Sequence, residues 1–279
     1  PLNKKDRLEK ISSELAQATQ QFSERVLDAT NSWKLVVNEE ARLSGLPQSA
    51  KEAARATAIE KLGEEEGKKS WIFTLHAPSL VPALQYLDDD ELRKEIWTAS
   101  DALGSEKPYD NQFLIASILQ LRQEKAELLG KSDFSEVALS RRMAKNGQRA
   151  DTFISELRDQ TAPFFERENQ ELESYKAEKA GKNSDLLQPW EVGYWSEKLK
   201  KERYDFDEED LRPYFPIHSV LQGMFALVTK VFGLRIVERS ILFEGEVHAH
   251  GEENSQAIEV WHPEVRFYDL FDSEGGQLL

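Results

Sequence analysis

The sequence predicts a mainly α-helical fold, in which long helices form an antiparallel helical lobe and a small β segment lies at the C-terminal end. Charged residues make up 31% of the 279 residues, whereas the turn formers Gly and Pro number only 14 and 10, a composition that favours helices. Apolar residues recur three and four positions apart along most of the chain, which is the period of a helix face. β-Branched and aromatic residues become dense only after Gly233, so we expect strands there.

The first predicted element is one long N-terminal helix over residues 4–43. Its apolar residues form a seam of near-heptad period that requires a partner helix: Leu8, Ile11, Leu15, Ala18, Phe22, Val26, Ala29, Trp33 and Val36. Gly45-Leu46-Pro47 ends this helix. A short Ala-rich helix, a solvated loop and a short strand follow over residues 48–62, 63–69 and 71–75.

Further helices are predicted over residues 89–103, 109–129, 133–145, 150–180, 190–202 and 216–232. Asp88 with Glu91 predicts a capping box before the helix over residues 89–103, and Asp133 with Glu136 predicts the start of the helix over residues 133–145. Gly130 predicts the end of the helix over residues 109–129.

The C-terminal part is expected to contain strands within residues 235–243 and 257–271, separated by a polar loop over residues 244–256. A hairpin turn over residues 272–276 would lead into a further strand. The pattern therefore divides the chain into a helical lobe over residues 1–235 and a β-containing region that begins at residue 236.

Composition also excludes several classes of partner and site. The net charge of −15 argues against nucleic acid, which requires clustered Lys and Arg. The absence of Cys excludes disulfides and cysteine-ligated metals, and it allows a reducing compartment. No apolar run approaches the roughly 18 residues of a membrane span, and no targeting segment is visible, so we expect a cytoplasmic protein without a membrane contact.

The motifs of several catalytic and phosphate-binding sites are absent from the sequence. A His-Glu-x-x-His helix would place two imidazoles and a general base on one face, but none of the five histidines is followed by Glu. Gly67-Lys68-Lys69-Ser70 and Gly130-Lys131-Ser132 lack the first glycine of a phosphate loop. There is no Gly-x-Ser-x-Gly elbow either. We therefore assign no catalytic, cofactor-binding or metal-ligating residue.

Two groups of residues leave alternatives open. We interpret His248-x-His250 with Glu252, Glu253 and His262 as part of a solvated polar loop between strands. The alternative is a metal site, because alternate residues of a strand point the same way. The aromatic group is Trp190, Tyr194 and Trp195. These rings are interpreted as helix–helix packing, with a peptide-contacting wall as the alternative.

Several blocks in order along the chain resemble one family, the thimet oligopeptidase/oligopeptidase A family of zinc metallopeptidases. The blocks are Phe22–Thr30, Gly45–Pro47, Trp71–Ser79, Asp110-Asn111, Leu121–Gly130, Met143–Lys145, Trp190–Pro216 and Trp261–Tyr268. Trp190–Pro216 is the most specific of them. The sequence departs from the family at His76, where the family usually has Asp.

The resemblance implies the N-terminal portion of a two-lobed, zincin-type oligopeptidase that hydrolyses internal bonds of short peptides with metal-activated water. It implies zinc as the cofactor and places the His-Glu-x-x-His motif beyond Leu279, so that residues 236–279 would begin a truncated catalytic region. The missing C-terminal catalytic region would be the partner of this chain, and the 279-residue chain alone is expected to be inactive. The alternative is a non-catalytic helical module that binds peptides or a partner protein.

Overall fold

A computed structural model of the chain describes residues 2–181, 186–244, 246–248, 257–272 and 275–276. The chain forms two compact units that meet in sequence between Phe206 and Asp207. The predicted mainly α fold with a small β segment is confirmed. Within the described residues, no helix has both the length and the apolar composition needed to cross a membrane.

The described part of the first unit is built mainly from α-helices. They are α1 (Leu2–Ser32), α2 (Gln48–Leu62), α3 (Glu64–Gly67), α4 (Ala77–Tyr86), α5 (Asp90–Asp101), α6 (Gln112–Leu128), α7 (Phe134–Leu139), α8 (Gly147–Ala180) and α9 (Val192–Tyr204). Short 3-10 helices cover Glu40–Leu43 and Pro189–Glu191. α2 coincides with the predicted Ala-rich helix, whereas α3 occupies part of the predicted loop over residues 63–69.

The prediction of one helix over residues 4–43 is wrong beyond Ser32, where α1 ends. Strand β1 (Leu35–Val37) follows and pairs antiparallel with β2 (Trp71–Phe73). Helical spacing of apolar residues continues through this segment, but Leu35 and the β-branched Val37 pair with Phe73 and Trp71 of a distant strand. Tertiary pairing therefore overrides the local period.

The main hydrophobic core of the first unit is assembled around β2, α4 and α5. Phe73, Leu43, Leu87 and Ile96 are almost fully buried in it. Its remaining fully and partly buried members all lie between Trp33 and Leu103 in the sequence. This core fixes the junction between α4 and α5, on which the candidate site is built.

α1 packs against α6, so the predicted partner helix for its apolar seam is present. Ile11 is fully buried in the first unit. Arg7 of α1 binds Glu124 of α6 through two parallel contacts, one of 2.6 Å from Nε to Oε1. Closer to the other end of α1, Arg25 donates to the Asp110 carbonyl over 2.6 Å.

The second unit contains α10 (Ile217–Phe232) after a 3-10 helix over Glu208–Tyr214. Its strands are β3 (Arg235–Glu238), β4 (Ile241–Phe243), β5 (Glu246–His248), β6 (Ile258–Glu259) and β7 (Tyr268–Phe271). β3 and β7 form an antiparallel pair, while β4 pairs antiparallel with β5 and parallel with β6. β5 lies inside the predicted polar loop over residues 244–256, which is a correction to that prediction.

The predicted hairpin turn after β7 is described at its two ends. Asp272 donates its backbone N–H to the Gly276 carbonyl at 2.9 Å, as in a closed turn. The predicted strand beyond it falls on residues 277–279, outside the described residues.

Candidate functional site

The Trp190–Pro216 block places α9 against the junction of α4 and α5. Gln188 and Glu191 form a capping box around the 3-10 helix Pro189–Glu191, which directs the chain into α9. α9 is followed directly by Asp205, which adopts a left-handed backbone conformation with φ of 48°. The face of α9 between these two ends carries Tyr194 and Lys198, four residues apart.

Asp88 lies between α4 and α5 and accepts hydrogen bonds from both sides of this junction. Its Oδ1 accepts from the Tyr194 hydroxyl at 2.8 Å and from Lys198 Nζ at 3.1 Å. Its Oδ2 accepts from the Ser44 hydroxyl at 2.7 Å. Asp89, rather than Asp88, caps α5 by accepting from the Leu92 amide at 3.0 Å, so the predicted capping box of Asp88 with Glu91 is wrong.

The electrostatics of this cluster keep Asp88 ionised. Burial raises the pKa of the Asp88 carboxyl, but the hydrogen bonds from Ser44, Tyr194 and Lys198 outweigh burial and bring it below its ordinary value of 3.8. Burial also raises the pKa of Tyr194, and the hydrogen bond to Asp88 adds to that rise. With both of its oxygens occupied and a lowered pKa, Asp88 acts as a brace between helices and is a poor general base.

Arg93 fills the space behind Tyr194. Its side chain is buried, donates to the Leu87 carbonyl at 2.5 Å and to Asp90 at 2.7 Å, and lies 4.1 Å from the centre of the Tyr194 ring. A buried arginine over an aromatic face is stabilised by a cation–π contact in addition to its hydrogen bonds. Tyr194 is thereby held in one orientation.

The three rings of the aromatic group make packing contacts within the first unit. Trp190 lies 6.0 Å from Trp97, and its Nε1 donates to Asp90 at 3.2 Å. Trp195 contacts Tyr194 and Tyr175 edge to face, at 5.1 and 6.1 Å between ring centres. These contacts agree with the packing interpretation of Trp190, Tyr194 and Trp195.

A buried ion pair holds the start of the block on α8. Lys176 Nζ lies 2.6 Å from Glu191 Oε2, and both side chains are at least nine-tenths buried. The same carboxylate accepts from the Gln188 amide at 2.8 Å. This pairing joins α8 to the loop before α9, and removal of either partner would leave the other charge buried.

The sequence did not reveal the network around Asp88, because its partners Ser44 and Tyr194 are far from it along the chain. The available signal was the run Asp88-Asp89-Asp90 between two helices, together with Tyr194 and Lys198 on one helix face. Nothing in that pattern says that the two segments meet.

The described histidines lie on different segments of the chain. His76 is exposed at the residue before α4 and makes no capping hydrogen bond with its side chain. His218 lies in the first turn of α10, 2.9 Å from the Gln222 amide nitrogen. His262 accepts from the Glu264 amide at 3.2 Å through Nδ1. His248 lies on β5, and His250, Glu252 and Glu253 lie outside the described residues.

The zinc ion that the resemblance implies finds no set of ligands in the described part of the chain. No group of three or more His, Asp or Glu side chains converges there as a metal site would require. The printed sequence also contains no His-Glu-x-x-His motif. The described residues therefore do not fit the ion.

Comparison with known proteins identifies the family. The model of peptidase family M3 matches residues 83–279. Oligopeptidase A of Haemophilus influenzae is 37% identical over 280 residues, which cover 99% of this chain and 38% of the relative. Oligopeptidase A of Escherichia coli is 35% identical over 98% of this chain and 37% of the relative.

A relative with a different name also matches. Dipeptidyl carboxypeptidase of Escherichia coli is 29% identical over 97% of this chain and 37% of the relative. The chain thus spans well under half the length of these curated relatives. The family match over residues 83–279 shows that this chain belongs to peptidase family M3.

Proposed function

We propose that this chain is the N-terminal portion of a zinc metallo-oligopeptidase that hydrolyses internal bonds of short peptides in the cytoplasm. The observation that supports this most is the alignment of 98 to 99% of the chain with proteins named oligopeptidase A. In this proposal the zinc ligands and the catalytic Glu belong to a region C-terminal to residue 279, and residues 236–279 begin that catalytic region. The helical lobe over residues 1–235 would form one wall of the substrate channel.

The apolar surface of α10 indicates that further protein contacts the second unit. One side of the helix packs within that unit, where Phe225 lies 4.9 Å from Tyr268. The opposite seam is exposed and repeats at intervals of three and four: Ile217, Val220, Met224, Leu227 and Val231. A row of exposed apolar side chains along a helix marks a contact with further protein or with a ligand. We propose that the catalytic region of the same protein covers this seam.

α8 has a comparable surface in the first unit. Between residues 153 and 165 it exposes five large apolar side chains, each by more than half of its surface: Phe153, Ile154, Leu157, Phe164 and Phe165. Exposed apolar surface of this kind marks a contact with further protein or with a ligand. We propose that it faces the channel or the catalytic region in the complete enzyme.

The test compares the 279-residue chain with the product of the natural gene. Each protein is analysed for bound zinc and incubated with an internally quenched peptide whose C-terminus is amidated. We expect the longer product to bind zinc and to cleave an internal bond in a chelator-sensitive manner, and the 279-residue chain to do neither. The amide blocks release of C-terminal dipeptides, so it separates an oligopeptidase from a dipeptidyl carboxypeptidase.

Two results would overturn the proposal. The first is a longer product that lacks zinc or leaves the amidated peptide intact. The second is a gene that encodes no His-Glu-x-x-His motif after Leu279. The exposed seam of α10 would then favour the second candidate function, a non-catalytic helical module that binds a partner protein or a peptide through this surface.

A further inference from the structure

The first unit contains a cavity of about 860 Å³ that plays no part in the cluster around Asp88. It lies between the C-terminal end of α1, one side of α5 and the loop over residues 102–109. Its volume is that of cavities that bury small ligands or single side chains of a peptide. Leu75 and Leu103 supply an apolar part of its wall.

Two aromatic rings, Trp33 and Tyr109, line this cavity. Each ring is half-buried. The face of an aromatic ring carries partial negative charge and attracts ammonium and guanidinium groups within about 6 Å. The rings therefore favour a cation over an anion as the occupant.

The charged residues of the wall point to the same sign of ligand. Glu91, Glu95 and Glu106 line the cavity at exposed positions, and Glu95 also attracts Arg42 electrostatically. Of the cations in the wall, Arg42 is bound by Asp89 at 2.6 Å. The other two are Lys94, whose Nζ lies 5.2 Å from the centre of the Trp190 ring, and Lys107. Three carboxylates against two lysines leave the wall negative.

Two helices also end at the cavity. Ser32 is the last residue of α1, and Ala102 follows the last residue of α5; both line the wall. Neither helix carries a basic residue in its last turn. The C-terminal end of a helix bears roughly half a negative charge, which is unbalanced at both of these ends.

We propose that this cavity binds a positively charged side chain of a peptide, with arginine as the preferred occupant. Its planar guanidinium stacks on the faces of Trp33 and Tyr109 and donates hydrogen bonds to Glu91, Glu95 or Glu106. This binding involves residues of the first unit alone and does not depend on zinc or on hydrolysis. It gives the chain a peptide-binding function of its own.

The test uses the 279-residue chain and the probe acetyl-Ala-Arg-Ala-amide, with the citrulline peptide as its neutral isostere. Binding is followed by amide shifts of Gly104, Ser105 and Lys107 and by the indole signal of Trp33. A triple variant, Glu91→Gln with Glu95→Gln and Glu106→Gln, removes the carboxylates. The matched control, Glu9→Gln with Glu60→Gln and Glu168→Gln, changes the net charge equally at exposed positions that do not line the cavity.

We expect the triple variant to weaken binding of the arginine peptide about tenfold, and the control to weaken it less than about twofold. The citrulline peptide should bind at least about fivefold more weakly to the native chain. Thr98→Lys places a tethered ammonium at the wall and should abolish binding, with the fold checked by circular dichroism. Equal binding of both peptides, an equal effect of the control, or no saturable shift at millimolar peptide would overturn the proposal.

Discussion

Tyr194 donates its hydroxyl hydrogen to Asp88 over 2.8 Å, although the two residues are 106 positions apart in the chain. This contact fixes α9 on the junction between α4 and α5. Because Asp88 also accepts from Ser44 and Lys198, one carboxylate joins three separate segments of the first unit. The most specific block of the sequence is thus anchored by a structural network.

Replacement of Tyr194 by Phe should lower the free energy of unfolding by about 1–2 kcal/mol, because the ring stays and a hydrogen bond to a charged group is lost. Urea unfolding followed by circular dichroism measures the change. Tyr214→Phe is the control, since Tyr214 is 78% exposed. Equal effects of the two substitutions would contradict a bracing role for the Tyr194 hydroxyl.

The lowered pKa of Asp88 predicts a dependence of stability on pH. A carboxyl whose pKa is lower in the folded state stabilises the fold above its unfolded value of 3.8, and this contribution is lost as the pH falls through the folded pKa. The free energy of unfolding, measured with urea, should therefore decrease as the pH falls from about 5 to about 2.5. Asp88→Asn should make the free energy of unfolding less dependent on pH in this range. Asp101→Asn, at an exposed position in α5, should leave that dependence unchanged.

The buried pair of Lys176 and Glu191 predicts a non-additive double-mutant cycle. Lys176→Met leaves the Glu191 carboxylate buried without its cation, which should cost about 3–5 kcal/mol. Adding Glu191→Gln removes that charge and keeps an acceptor for the Gln188 amide, so the double variant should regain at least about 1 kcal/mol. The measurement is the free energy of unfolding of the native chain, the two single variants and the double variant. If the effects of the two single substitutions simply add, the two side chains are not coupled.

His76 occupies a helix N-terminal capping position without using its side chain. His76→Asp should stabilise the chain by about 0.5–1 kcal/mol, because a carboxylate at the N-terminal end of α4 interacts favourably with the helix dipole. His76→Ala should change the stability little, since no capping bond is lost. A lower melting temperature for the Asp variant than for the Ala variant would show that the α4 terminus is capped in another way.

The exposed seam of α10 should govern self-association of the chain. Leu227→Gln with Val231→Gln should reduce association in light scattering and binding of an apolar dye, with little loss of stability, because both residues are about 60% exposed. Phe225→Ala, on the side that faces Tyr268, should instead destabilise the second unit by about 1–3 kcal/mol. If the double Gln variant associates as strongly as the native chain, the exposed seam of α10 is not the surface through which the chain self-associates.

The local pattern predicted elements whose apolar period and end signals agree. α10 lies within one residue of its predicted span and ends before Gly233, which adopts a φ of 70°. The pattern failed where a distant partner decided the structure, as at Leu35–Val37, whose β pairing depends on Trp71–Phe73. The role of Asp88 was missed for the same reason, since its three donors come from other segments.

The confinement of the main core to residues between Trp33 and Leu103 has a consequence for synthesis. Once the ribosome has released the chain as far as Leu103, every side chain of that core is available, and the short loops within it close quickly. α1 must wait for α6, and Tyr194 reaches Asp88 only after almost one hundred further residues have emerged. The nascent chain should therefore gain a folded centre early, while its two flanking helices dock late.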